Sequence, residues 1–255
     1  MSESVLIVAH PDDEILWFSS IIESVDEIII LFSKSNDDQV SEGRKKISGN
    51  NLLPYAKKVL FLNIDESNSF NKLNWDDPKI DQFGAKISSQ AYKKNYYKIC
   101  NLLKDLILPF DVIYTHNPWG EYGHEEHIQI FKSIIDIANL EKKQVWVSGY
   151  FSERSYKLMD FYRYCLKDQN IYKNNNRGLC NSVKKIYYDN NAWTWADDYC
   201  WPQNECFFRI DNNRQLSFDE LEPLYAFPVM NFIRTSISDT RLIHRIKRKL
   251  FISRK

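Results

Sequence analysis

The chain has 255 residues, enough for one sizeable α/β domain, and its 34 Lys and Arg residues are balanced by 34 Asp and Glu residues. This neutral balance disfavours the nucleic-acid-binding class, whose members usually carry a basic excess. No stretch approaches the roughly 18 apolar residues that span a bilayer, the N-terminus lacks the basic region of a signal peptide, and five scattered cysteines without a C-x-x-C pair predict reduced thiols in a cytoplasmic protein.

The first 150 residues alternate between apolar runs typical of buried strands and segments with helical spacing. This alternation predicts a Rossmann-like, three-layer α/β sandwich in which helices cover both faces of a mostly parallel central sheet. Polar segments rich in Asn and Asp at 33–43 and 65–81 predict loops. The predicted strands are 5–9, 27–32, 59–62, 111–115 and 144–149, and the predicted helices are 15–24, 44–57, 92–108 and 128–140.

The last hundred residues carry weaker patterns, with a helix predicted at 155–166 and a loop at 170–177. We interpret residues 1–255 as a single domain whose core covers about 4–150 and whose residues 151–255 form an extension of it. An aromatic-dense segment follows, which we interpret as ordinary packing rather than as the wall of a pocket. Its members are Trp193, Trp195, Trp201, Phe207 and Phe208.

The C-terminal end, residues 241–255, holds seven Lys and Arg residues with apolar residues at helical spacing. Such a pattern is typical of a helix on an anionic membrane surface or of a solvated terminal helix packed on the domain. We favour the solvated helix.

Four ionisable residues follow the first predicted strand, namely His10, Asp12, Asp13 and Glu14. Open α/β sheets bind their ligands at the carboxyl ends of strands. Four ionisable groups crowded there are costly for folding unless something neutralises them, and a metal ion would do so. The stretch therefore predicts a metal site.

His124 and His127 follow another predicted strand, in a turn that leads into a helix. We expect the two clusters to converge above the parallel sheet. Histidine and carboxylate together suit Zn²⁺, which in catalytic sites has three protein ligands and a position open to water. The residues alone leave open whether Asp12 or Asp13 binds the metal. A dinucleotide cofactor is disfavoured because the turn after the first strand has no G-x-G-x-x-G.

Two motifs resemble those of the PIG-L/LmbE-like family of zinc-dependent N-deacetylases. Residues 9–14 match the family signature A-H-P-D-D-E at every position. Residues 123–127 resemble the second motif, H-x-D-H, with Glu126 in place of Asp. The resemblance covers about residues 4–150. It implies a metal-dependent hydrolase that removes the N-acetyl group of an amino sugar, in particular of an N-acetylglucosamine-type glycoconjugate, with Zn²⁺ or another divalent metal such as Fe²⁺.

The family resemblance also assigns roles at the reacting centre. It implies that His10, Asp13 and His127 bind the metal and that Asp12 is the general base that takes a proton from the attacking water.

Further roles follow from the same resemblance for residues around that centre. His124, positively charged, would stabilise the oxyanion or protonate the leaving amine, and Glu126 would hold His124 and keep it protonated. Tyr122 would lie beside the substrate carbonyl. Arg44 and Asp65 would contact the substrate.

Two other functions stay open at this level. One is a sugar-binding protein that kept the fold and lost the chemistry, which the Glu at position 126 would suit. The other is an amidase acting on an N-acyl substrate that is not a sugar. The sequence also leaves open whether the sugar is lipid-linked or nucleotide-linked, and how many copies of the chain associate.

Overall fold

The computed structural model describes residues 3–55, 57–173, 176–211 and 229–235. The strands are β1 (Ser4–Val8), β2 (Glu27–Lys34), β3 (Lys58–Asp65), β4 (Ile80–Asp81), β5 (Gly84–Ala85), β6 (Val112–Thr115), β7 (Gln144–Ser148), β8 (Tyr150–Ser152), β9 (Leu166–Lys173), β10 (Asn204–Ile210) and β11 (Asn231–Ile233). The helices are α1 (Asp13–Trp17), α2 (Asp38–Gly49), α3 (Gln90–Leu106), α4 (Glu125–Glu141), α5 (Tyr156–Tyr162) and α6 (Arg177–Asp189).

Seven strands form the central sheet in the order β3-β2-β1-β6-β7-β10-β9. The first five strands of this order are parallel, whereas β10 pairs antiparallel with both β7 and β9. The predicted Rossmann-like sandwich with a mostly parallel sheet is therefore confirmed.

β1 is buried on both faces because its residues are apolar without a break. Leu6 and Val8 pack into a cluster with α1 and α6, whereas Val5 and Ile7 pack into a second cluster with α3 and α4. All four side chains are completely buried. Strand residues alternate between faces, so this one apolar run joins the two helical layers to the sheet.

Two helices of the first half differ from their predicted bounds. α1 ends at Trp17 rather than at Ser24, and turns replace the rest of the predicted helix. α2 begins within the predicted loop 33–43, because the Asp37 side chain accepts hydrogen bonds from the backbone N–H groups of Gln39 and Val40. It ends at Gly49, well before the predicted end at Lys57.

Several elements of the second half were not predicted, among them β8, β9, α6, β10 and β11. β9 occupies part of the predicted loop 170–177, and α6 follows it. The sequence of β9 is polar, and the strand exists because it pairs with β10. Tertiary pairing of this kind leaves little trace in a local pattern.

Three other features bear on the predictions from composition. No helix in the part of the chain that the structure describes is long and apolar enough to cross a bilayer. All five cysteines are free thiols. The predicted terminal helix at 241–255 lies outside the described residues.

The extension packs closely on the core where α6 ends beside α2. A Cβ placed on Gly43 of α2 would lie 1.9 Å from the carbonyl oxygen of Asn190, the residue that caps α6. Only a glycine allows the two backbones to approach this closely. The single-domain organisation stays a prediction, and this contact supports it.

We expect Gly43→Ala to lower the thermal midpoint of unfolding. Overpacking costs about 1–3 kcal/mol, which outweighs the helix preference of alanine over glycine, about 1 kcal/mol. Gly49→Ala is the matched control in the same helix, because nothing lies within 4 Å of its added Cβ. Calorimetry of both variants is the measurement. Equal midpoints would contradict close packing of the extension on α2.

Candidate metal centre

The turn after β1 places two neighbouring aspartates in different surroundings. Asp12 adopts φ 100°, in the left-handed region, and its backbone N–H donates to Glu14 Oε2 at 3.0 Å. Such a conformation costs a residue with a side chain about 1–3 kcal/mol and recurs at functional sites. The kink lets Asp13 turn back, so that its Oδ2 accepts from the backbone N–H of His10 at 2.8 Å.

Glu14 stabilises this turn through hydrogen bonds. Besides the N–H of Asp12, its carboxylate accepts from the hydroxyls of Tyr55 at 3.0 Å and Tyr187 at 2.6 Å. Burial is the main cause that raises the pKa of Glu14 to about 7, against these hydrogen bonds. The fourth ionisable group of the stretch therefore holds the backbone in place.

The second motif lies where α4 begins. His124 is the N-cap, and its Nδ1 accepts from the backbone N–H of Glu126 at 3.2 Å. Glu126 and His127 lie in the first turn of α4, and both side chains are buried. The helix start therefore fixes the direction in which each of these side chains leaves the backbone.

The two motifs converge, as the sequence predicts. Asp13 Oδ2 lies 3.1 Å from His10 Nδ1 and 3.2 Å from His127 Nε2. One ligand atom from each of these three buried residues lies within 4.8 Å of the others. The structure thus brings together two residues from the end of β1 and one from the start of α4.

The hydrogen bonds favour this trio over two overlapping groups of possible ligands. In the group His116, Glu121 and His127, His116 Nε2 accepts from the backbone N–H of Ala9 at 2.9 Å. Both oxygens of Glu121 also accept hydrogen bonds. In that group only His127 Nε2, which also belongs to the trio with His10 and Asp13, makes no well-aligned hydrogen bond.

The remaining group consists of His10, His124 and Glu126. His124 Nδ1 and the Glu126 carboxylate already accept hydrogen bonds, the latter from the N–H and hydroxyl of Ser67 at 2.5 and 2.6 Å. In contrast, His127 Nε2 is buried and makes no well-aligned hydrogen bond, although Asp13 Oδ2 lies 3.2 Å away. Because a buried polar atom is costly without a good partner, a nitrogen placed in this way beside a carboxylate fits a metal ligand.

Glu121 holds His127 through Nδ1, the ring nitrogen that does not face Asp13. Its Oε2 lies 2.7 Å from His127 Nδ1 and 3.0 Å from His116 Nδ1, and its Oε1 accepts from the hydroxyl of Ser148. Despite burial, the two histidines lower the pKa of Glu121 to about 2. A carboxylate that holds Nδ1 directs Nε2 at a metal, as in known metal sites.

Two of the histidines balance part of the charge of the buried carboxylates. Burial lowers the pKa of the His10 and His127 imidazoles, but Asp13 and further carboxylates reverse that effect. The pKa rises to about 10 for His10 and to about 9 for His127. Both imidazoles therefore carry protons at neutral pH that a metal ion would displace.

Asp12 is held by a residue far along the chain. Its Oδ2 accepts from the backbone N–H and the hydroxyl of Thr194, at 2.7 and 2.8 Å. Burial and the charge of Asp13 raise the pKa of Asp12 to about 7, against the effects of Arg44 and Thr194. Asp12 thus lies beside the trio, with a carboxyl group poised to exchange a proton near neutral pH.

The predicted contact between Glu126 and His124 is corrected by the structure. The Glu126 carboxylate contacts His10 Nε2 at 2.9 Å and Ser67, whereas only its backbone N–H reaches His124. Burial and the neighbouring cations hold the pKa of His124 well below its usual value. Since Nδ1 accepts a hydrogen bond, the neutral ring carries its proton on Nε2, and no hydrogen bond between the Glu126 carboxylate and His124 is found among the described residues.

Aromatic rings surround the histidines. The Tyr122 ring lies 5.5 Å from that of His127 and 4.6 Å from the half-buried ring of Trp195. Phe70 stacks on His124 at 4.9 Å. The aromatic-dense segment therefore contributes both to core packing and to the border of the site. Trp193 is buried in the core, whereas Trp195 borders the site.

Of the two residues predicted to contact substrate, only Arg44 lies beside the trio. Its guanidinium is buried and donates to Glu66 Oε1 at 2.5 Å, and the same oxygen lies 3.8 Å from His10 Nε2. Asp65 ends β3 with its side chain exposed, in an ion pair with Lys34 at 3.4 Å. The structure does not bring Asp65 to the cluster, and its neighbour Glu66 takes that place.

The sequence profile of the PIG-L family, described as GlcNAc-PI de-N-acetylase, matches residues 5–138, which are slightly more than half of the chain. The chain belongs to the PIG-L family. The matched region contains nearly all of β1, most of α4 and every residue of the candidate trio. Thr194 and Trp195 lie outside it.

Individual proteins are similar to this PIG-L chain over different extents. Uncharacterized protein L374 of Acanthamoeba polyphaga mimivirus is 27% identical in an alignment of 152 residues that covers 53% of this chain. The match spans 58% of that relative, so the chain covers a little over half of its length.

Two solved structures share the fold of the chain. The zinc-inhibited form of teicoplanin deacetylase Orf2 is 11% identical with a TM-score of 0.55, and covers 82% of this chain and 98% of its own. The A40926 pseudoaglycone deacetylase Dbv21 is 10% identical with a TM-score of 0.53, and covers 84% of this chain and 99% of its own. At these identities the likeness shows the fold alone.

Several residues of the site are not predicted by the sequence motifs. His116 and Glu121 lie in the turn after β6, so their position at a strand end was a usable signal. Glu125 accepts from the backbone N–H groups of Leu73 at 2.9 Å and Asn71 at 3.2 Å, which anchors the predicted loop 65–81. Thr194 gave no signal, because nothing in its local sequence relates it to Asp12.

Proposed function

We propose that this PIG-L family member is a zinc-dependent N-deacetylase that removes the N-acetyl group of an N-acetylglucosamine-type glycoconjugate. One observation carries the proposal. One ligand atom each of His10, Asp13 and His127 lies within 4.8 Å of the others, His127 Nε2 is buried without a well-aligned hydrogen bond, and Asp12 lies alongside without belonging to the trio.

The proposed metal ligands are His10, Asp13 and His127. Two histidines and a carboxylate form a donor set that Zn²⁺ accepts, and Fe²⁺ is the alternative that the same set suits. When bound, zinc would act as a Lewis acid and lower the pKa of water from about 15.7 to about 7. Glu121 would keep Nε2 of His127 directed at the ion through its contact with Nδ1.

Asp12 is the proposed general base. It accepts a proton from the water whose oxygen forms the bond to the acetyl carbon. As the C–N bond breaks, the same carboxyl group returns the proton to the leaving amine nitrogen, so that acetate and the free amino sugar are the products. Burial raises the pKa of Asp12 above its usual value, which suits a carboxyl group that both accepts and returns a proton.

His124 is the proposed donor to the developing oxyanion. Its Nδ1 accepts the backbone N–H of Glu126, which leaves an Nε2–H for the substrate oxygen. A neutral imidazole that donates in this way stabilises negative charge without competing with the cationic centre. Tyr122, 5.8 Å from the ring of His124, would border the acetyl group.

Proton displacement by the metal predicts how stability depends on pH. In the metal-free protein the pKa values of His10 and His127 are raised from 6.5 to about 10 and about 9, so their contribution to stability is complete below pH 6.5 and is lost as pH rises through 9 and 10. We expect the thermal midpoint of chelator-treated protein to fall between pH 7 and pH 9.5 by more than that of zinc-loaded protein, whose ligands hold no such protons. The metal-free form should lose at least about 1 kcal/mol, or about 2–4 °C. Parallel falls would contradict the assignment of these two ligands.

The test of the proposed function is acetate release by zinc-loaded and Fe²⁺-loaded protein, with and without chelator. The panel contains N-acetylglucosamine, a phosphatidylinositol-linked and a nucleotide-linked N-acetylglucosamine, and a non-sugar N-acetyl amino acid. We expect release from an amino sugar that stops with chelator and returns with the metal. Release from the amino acid alone would favour the amidase, and no release by protein with a full metal site would favour the sugar-binding protein.

A further inference from the structure

Thr194 makes two hydrogen bonds to one oxygen of Asp12. Its backbone N–H and hydroxyl both donate to Oδ2, at 2.7 and 2.8 Å. Among the described residues, no hydrogen-bond donor reaches Oδ1. One oxygen of the carboxylate is therefore fixed by two donors, and the other is left to exchange a proton.

The segment that carries Thr194 is itself anchored on α1, the helix that begins directly after Asp12. Trp201 Nε1 donates to the carbonyl oxygen of Ile15 at 2.6 Å, and the Tyr199 hydroxyl donates to that of Leu16 at 3.1 Å. The Lys184 ammonium group of α6 donates to the carbonyl oxygen of Asp197 at 2.6 Å. These bonds attach residues 194–201 to α1 and α6. Thr194 is therefore held in position before any substrate binds.

We propose that Thr194 is a positioning residue that aligns Asp12 for proton transfer. The inference rests on the proposed function, in which Asp12 is the general base. It assigns a catalytic contribution to the part of the chain beyond the family match at residues 5–138. Proton transfer depends on the direction of the accepting lone pair, and two donors from one residue restrict rotation of the carboxylate at little cost in entropy.

Removal of the hydroxyl tests this role. Thr194→Val keeps the shape and the backbone N–H but loses one donor, and we expect kcat to fall about tenfold, as expected for one hydrogen bond to a charged group. KM and metal content should stay unchanged, because Thr194 touches neither substrate nor ligand in this account. Thr194→Ser should restore kcat. The side chain of Thr194 is exposed, so both variants should fold.

Thr235→Val is the matched control. The N–H and hydroxyl of Thr235 donate to Glu153 Oε1 at 2.8 and 2.9 Å, the same pair of bonds at an exposed carboxylate outside the site. This variant should keep the kcat of the wild type. A rise in KM with unchanged kcat in Thr194→Val, or a kcat equal to that of Thr235→Val, would overturn the proposal.

A second readout does not need activity. In crystal structures of zinc-loaded wild type and Thr194→Ser, the Asp12 carboxylate should keep one orientation, with Oδ2 on residue 194. In Thr194→Val it should rotate or occupy two orientations, and an unchanged carboxylate would overturn the proposal. If the wild type deacetylates no substrate, the proposed function fails, and the orientation of Asp12 still decides whether Thr194 positions it.

Discussion

Asp12→Asn should lower kcat for deacetylation by about 10²–10⁴-fold, the range expected for loss of a general base. The amide is close in size to the carboxylate and can accept the hydrogen bonds of Thr194, but it cannot take a proton from water. Since Asp12 is not one of the three proposed ligands, the variant should bind as much metal as the wild type. Acetate release and metal content, measured on the same preparations, are the readouts.

The control for this prediction is Asp105→Asn, which removes an exposed carboxylate on α3. We expect it to keep full activity and full metal content. Loss of metal from Asp12→Asn would show that Asp12 is a ligand and would reverse the roles of the two aspartates. Retention of full activity would remove Asp12 from the mechanism.

His127→Ala should abolish tight metal binding and with it the metal-dependent activity. The variant deletes the buried Nε2 that makes no well-aligned hydrogen bond. Loss of an outer-shell partner costs about 10–100-fold in metal affinity, so loss of a ligand should cost more than about 100-fold. Metal titration with a competing chelator gives the affinity directly.

Glu121→Gln provides the graded comparison for His127→Ala. The glutamine keeps the size of the side chain but loses the negative charge, and its NH₂ group cannot accept the hydrogen bonds made at one of the two oxygens of Glu121, so the hold on His127 should weaken. We expect a loss of about 10–100-fold in metal affinity, between wild type and His127→Ala. An affinity of His127→Ala equal to that of the wild type would contradict the proposed ligand set.

The sequence predicts those parts of the fold and the site whose structure depends on residues close together in the chain. The apolar run of β1 is buried because every residue of it is apolar, and the ionisable residues after it lie at a strand end as a result. His124 and His127 are likewise placed by nearby residues, because His124 caps α4 and His127 lies in its first turn. Their convergence at Asp13 follows from the parallel order of β1 and β6.

The other contacts depend on segments that meet only in the folded chain. Asp65 is the last residue of β3 and pairs with Lys34, whereas Glu66, the next residue, pairs with Arg44. Thr194 reaches Asp12 only through the docking of α6 and the segment after it. The departure from the expected Glu126 contact has the same origin, since Ser67 of the long loop competes for its carboxylate.

The most direct test of the account is diffraction at the zinc absorption edge from crystals of zinc-loaded protein. We expect one anomalous peak per chain, with His10, Asp13 and His127 at about 2.0–2.2 Å from the ion and with the carboxylate of Asp12 outside bonding distance. An ion bound by a different set of residues, or no ion among these three, would contradict the claim on which the proposed chemistry depends.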